Sequence, residues 1–112
     1  MARYPDIQKK AQEEIDRVVG HDRLPTMRDQ AALPYVNHLI AEVLRFNPVV
    51  PVIPHSLDVH DVSVVLTITE AILKNAATFH RPEEFTPERY EGVNGYPPES
   101  DLLYISFGFG RR

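Results

Sequence analysis

The chain has 112 residues, 16 acidic and 12 basic side chains for a net charge of −4, ten prolines and no cysteine. That length makes one domain or part of one. The acidic balance argues against nucleic acid as the main partner. No run of 18 or more apolar residues is present to span a membrane, and the opening "MARYPDIQKK" lacks the apolar centre of a signal peptide. Without cysteine there are neither disulfides nor thiolate metal ligands.

The first predicted element is a helix over residues 5–19, "PDIQKKAQEEIDRVV". Ile7, Ala11, Ile15, Val18 and Val19 recur at helical spacing and make one apolar stripe. Pro5 suits a first helical position, Asp6 favours the positive end of the helix dipole, and Gly20 supplies a stop. The charged residues between them read as a solvated face. Residues 21–35 are a polar connection with room for one short helical turn.

A second helix is predicted from Pro34 to Phe46, "PYVNHLIAEVLRF", ended by Asn47-Pro48. Val36, Leu39, Ile40, Val43 and Leu44 form its apolar face. The helix is apolar on most sides and is expected to be buried, which makes Glu42 and Arg45 costly residues in an unusual place. An i, i+3 ion pair on a helix surface is worth only about 0.2–0.5 kcal/mol. A buried arginine, by contrast, has five donors to satisfy, and one carboxylate cannot satisfy them all. Arg89 in "FTPERY", set in a proline turn, is the candidate second arginine beside Glu42.

From Pro48 the texture changes. "PVVPVIPH" has proline at every third position, so it runs extended and is no central strand. "VHDVSVVLTI" is rich in β-branched residues and predicts a short strand. "TITEAILKNAATF" opens a helix if Thr67 and Glu70 act as a capping box, or continues the strand. Residues 82–112 are a proline-rich meander ending in "FGFGRR". Two aromatics, two glycines and two guanidinium groups in six residues suit a loop against a flat, anionic, apolar ligand.

"AEVLR" (41–45), "PEEFTPERY" (82–90) and "FGFGRR" (107–112), in that order, resemble the C-terminal third of a cytochrome P450, most closely the eukaryotic microsomal branch. The paired helices before and through the E-x-x-R element are similar too, so the resemblance covers nearly the whole chain. It implies a mainly α fold with short β segments, an incomplete domain. Residues 1–47 would be the two helices including E-x-x-R, 48–81 the extended and short-strand region, and 82–112 the meander with a truncated haem loop.

The resemblance also implies roles. Glu42, Arg45 and Arg89 would form a structural network under the haem, with Tyr90 in the usual Phe position. His55 and Arg112 would meet haem propionates, Phe107 would pack beside the sulfur, and Gly110 would let the backbone approach the porphyrin. Ser56 stands where the family often has arginine, which removes one propionate contact. The family's haem-ligating cysteine falls two residues beyond Arg112. A hairpin between Asp61 and Leu66 and the oxygen-activating helix also have no counterpart.

By resemblance the parent activity is haem-thiolate monooxygenation of a small organic substrate with a redox partner such as a reductase. Its place is the cytosolic face of the endoplasmic reticulum membrane. The 112 residues alone are expected to be soluble and inactive, with no catalytic residue and no metal ligand of their own. The other readings are a non-catalytic helical interaction module and a truncated gene product. Metal binding by His21, His38, His55, His60 and His80 is poorly supported, because they lack close i, i+4 pairing.

Overall fold

A computed structural model describes residues 3–48, 52–56 and 64–92, with the backbone alone described along 52–56 and 64–69. Helix α1 spans Pro5–Val18 and helix α2 spans Pro34–Phe46. Strands β1 (Val52–Ser56) and β2 (Val64–Ile68) precede the short helix α3 (Thr69–Leu73). Two 3-10 turns lie at Gln30–Ala32 and Pro87–Glu91.

α1 starts with Pro5 in its first turn, where a missing N–H costs nothing, and Asp6 lies in that same turn. It ends where Gly20 takes φ +81°, a left-handed conformation that other residues rarely adopt, with its N–H donating to the Asp16 carbonyl at 3.1 Å. Ala11 is buried on its inner face, and so is Glu14. The expectation that the charged residues of α1 are all solvated therefore fails at Glu14. Residues 7, 11, 14 and 18 lie at helical spacings of four, three and four, so Glu14 stands in the middle of the apolar stripe.

Its carboxylate has a definite task. Oε1 accepts the N–H of Tyr35 at 3.1 Å and Oε2 that of Val36 at 2.9 Å. These are donors of the first turn of α2, which have no partner within the helix. A carboxylate there also answers the positive end of the helix dipole. Glu14 thus caps α2 from 21 residues upstream.

The described residues divide into two compact units. One gathers the residues up to Glu42 with those from Thr86 onward. It buries Ala11, Leu33, Tyr35, Leu39 and Tyr90. Its Arg23–Leu24–Pro25 connection is closed by Asp29, which takes both Arg23 guanidinium nitrogens at 2.7 Å and the Thr26 N–H and hydroxyl at 2.8 Å.

The second unit runs from Val43 to Phe85. β1 and β2 pair antiparallel in register, Val52 opposite Ile68 and His55 opposite Val65. Pro54 is tolerated because both strands of a two-stranded sheet are edges. The strand runs to Ile68 and α3 starts at Thr69, so Thr67 is strand and the expected capping box does not form the helix start. Among the residues of this unit whose side chains are described, Leu73 and Phe79 are buried and apolar.

The prediction that α2 is buried on most sides also needs correction. Leu39 is buried, but Ile40 is 54% and Val43 45% exposed. Only one side of the apolar face has packing partners among the described residues.

Candidate functional site

In the first unit the site is built on Glu42, which has no exposed surface. Pro87 opens the 3-10 turn at Pro87–Glu91, and its fixed φ presets the turn's direction. Gly92, at φ +69°, closes it in the left-handed region. This turn and the residue before it bring groups from Thr86, Arg89 and Tyr90 to one carboxylate. The Thr86 N–H donates to Glu42 Oε1 at 2.9 Å, and the Tyr90 hydroxyl donates to Oε2 at 3.4 Å. Arg89 Nε lies 3.0 Å from Oε2, an ion pair with both side chains buried. Its N–H is not aligned on that oxygen, so charge rather than a linear hydrogen bond makes the contact.

The surroundings of Glu42 suit an ionised carboxylate. An anion out of water must be compensated by donors and an opposite charge, and both are present. The His38 ring stands 5.9 Å from the Tyr90 ring in a tilted stack, and its buried Nδ1 has no hydrogen-bond partner among the described residues.

Arg45 belongs to the second unit and is also wholly buried. Its guanidinium donates to the Leu73 carbonyl at 2.9 Å and to the Glu84 carbonyl at 3.2 Å. The Phe79 and Phe46 ring centroids lie 5.5 and 5.8 Å from its central carbon, and Phe46 meets Phe85 edge to face at 5.5 Å. Carbonyl acceptors and aromatic faces thus answer part of the demand made by five donors. They also tie the helix to the segment after α3.

The structure therefore brings Glu42 and Arg89 together and buries Arg45. Phe107, Gly110 and Arg112 lie outside the described residues. For His55 only the backbone is described, and its side chain lies outside them as well. Among the described residues no three His, Asp or Glu side chains gather as a metal site. No helix among them is long and apolar enough to cross a membrane.

Sequence reasoning missed a second cluster in the first unit. Lys10 of α1 donates to Glu88 Oε1 at 2.5 Å, and the Tyr35 hydroxyl of α2 donates to the same oxygen at 3.2 Å. Burial, followed by the Glu88 charge and hydrogen bond, pushes the Tyr35 phenol up to about 12. Burial also pushes the Glu88 carboxyl up, but the Lys10 hydrogen bond, the backbone N–H of Glu88, the Lys10 charge and the Tyr35 hydroxyl together outweigh it and leave the carboxyl below its usual range. The Glu88 hydrogen bond and charge raise Lys10. No periodicity links residues 10, 35 and 88, so only the fold reveals this cluster.

Known proteins are similar in sequence to this chain along its whole length. The sequence model of the cytochrome P450 family matches residues 1–112. A cytochrome P450 monooxygenase (claR) of Ampulloclitocybe clavipes is 43% identical over the whole chain. Cytochrome P450 monooxygenase 45 of Postia placenta is 42% identical, again over the whole chain. The chain spans 23% of the length of each relative. Each alignment runs over 122 positions for 112 residues, so at least ten positions of the relative have no counterpart here. A solved zebrafish cytochrome P450, determined with progesterone, superposes with a TM-score of 0.69 at 36% identity over 78% of this chain and 23% of its own. With E-x-x-R and P-E-R-Y meeting at Glu42, and the family matched from the first residue to the last, the chain belongs to the cytochrome P450 family.

Proposed function

We propose that these residues form the haem-supporting part of a haem-thiolate monooxygenase, an enzyme that inserts one oxygen atom from O₂ into a small organic substrate. The observation that carries the reading is the buried Glu42–Arg89 pair in a chain matched by the family throughout. Glu42, Arg45 and Arg89 have a structural role in this reading: they fix α2 and the Pro87–Glu91 turn, and they touch neither substrate nor iron.

The donor set fits a haem chemically. An imidazole at His55 and a guanidinium at Arg112 complement propionate carboxylates, the latter in a bidentate manner. Phe107 offers an apolar face, and Gly110 allows backbone to approach a flat ring closely. Haem held by a cysteine thiolate supplies the electron-rich iron that favours O–O cleavage. The 112 residues contain no cysteine. Their contribution is thus to orient the macrocycle and to support it from beneath, and by themselves they are expected to be inactive. The whole protein would take electrons from a redox partner such as a reductase and work at the cytosolic face of the endoplasmic reticulum membrane.

The test is a reduced, CO-bound spectrum of the product of the complete gene. A band of the thiolate-ligated type is expected there. Its absence from a folded, haem-loaded product would contradict the proposal. The 112-residue chain mixed with haem is expected to give no such band, because it offers no thiolate.

A further inference from the structure

Consecutive side chains of the Pro87–Glu91 turn grip α2 at two points. Arg89 faces Glu42, and Glu88 accepts the hydroxyl of Tyr35. Positions 35 and 42 are seven residues apart, about two turns or 10 Å along the helix. A short turn anchored at one point can pivot about it, whereas anchorage at two fixes its rotation as well. The Glu88 anchor is itself braced, because Lys10 of α1 binds the same oxygen and its ammonium lies 5.7 Å from the Tyr35 ring centroid.

An ordinary surface ion pair does little. Lys10 and Glu88 are partly exposed, at 56% and 31%. The third partner sets this pair apart: Tyr35 is a buried residue of α2, two residues into a helix whose first turn Glu14 already caps. The cluster therefore joins α1, α2 and the turn around one carboxylate oxygen.

We propose that Glu88 is the positioning residue of this site, locking the turn onto α1 and α2 so that Thr86, Arg89 and Tyr90 meet Glu42 in register. Its consequence for haem rests on the function proposed above, but the locking does not.

Amide exchange in the 112-residue chain tests it, read at Thr86, whose N–H donates to Glu42. In Glu88→Gln and Lys10→Met, Thr86 is expected to exchange about three- to tenfold faster, given a charge-assisted bond weakened by exposure. The Val19 amide, which closes α1 on Ile15, should keep its rate. The Tyr35 phenol, followed by ultraviolet absorbance, should titrate closer to the ordinary tyrosine range in Glu88→Gln. The exchanged pair Lys10→Glu with Glu88→Lys restores opposite charges but sets a donor-only ammonium beside the Tyr35 hydroxyl, so it should recover part of the Thr86 protection and not all of it.

Thr86 exchange unchanged in the single variants would overturn the proposal. So would equal loss of protection at Val19, no recovery in the exchanged pair, or a Thr86 amide unprotected in the parent. Haem takes no part in this measurement, so its outcome and that of the CO spectrum are independent.

Discussion

Glu42 combines full burial with several partners, among them a backbone N–H, a phenol and a guanidinium. Such a carboxylate adds little net stability while its partners remain, but removing one side strands a charge. Glu42→Gln and Arg89→Ala are each expected to cost on the order of 3–5 kcal/mol. Urea unfolding of either variant should show this as a large drop in midpoint.

Asp29 behaves differently because it sits near solvent. The Arg23 guanidinium, then the Thr26 N–H and hydroxyl, hold its carboxyl well below the ordinary aspartate range. A depressed value means the contribution is present above the unfolded value and is lost only as pH falls through the lower folded one. Between about pH 4 and pH 3, where an unperturbed aspartate takes up its proton, Asp29 should therefore stay ionised. Its side-chain carbon resonance should not move in that interval. A normal titration there would remove Asp29 as the clasp of its loop.

Among the elements, α1 and α2 were legible because apolar spacing, Pro5, Pro34, Gly20 and Asn47-Pro48 all point the same way. The junction of β2 and α3 was not, since five residues of each carry too few periods to distinguish strand from helix. Glu14 was legible in principle, as a carboxylate in the centre of an apolar stripe. Its partners were not, because nothing local ties residue 14 to residues 35 and 36. Glu42 and Arg45 could be recognised as buried because their helix is otherwise apolar. Their actual acceptors and donors, from the carbonyls of Leu73 and Glu84 to the turn at Thr86, come from far along the chain. Glu14→Gln should expose this capping role, since an amide replaces one acceptor with a donor facing an N–H. A loss of about 1–3 kcal/mol is expected, with faster exchange confined to the Tyr35 and Val36 amides. Unchanged exchange at both would show that α2 needs no cap from α1.

At the scale of the whole molecule, the chain spans under a quarter of the length of its relatives, and α2 leaves Ile40 and Val43 open to solvent. Among the described residues the buried charges are Glu14, which caps α2, and Glu42 and Arg45, which are assigned to haem support. If Glu42, Arg45 and Arg89 hold the frame beneath a haem, loss of one should be felt as loss of haem before loss of anything else. Arg45 is the residue to remove, because its wholly buried guanidinium donates to the Leu73 and Glu84 carbonyls and contacts the Phe79 ring. In the product of the complete gene, haem per polypeptide should be measured for the parent and for Arg45→Ala, purified alike. Stable incorporation in the parent and almost none in Arg45→Ala is the expected result. Normal haem content in Arg45→Ala would contradict the assignment of these residues to haem support.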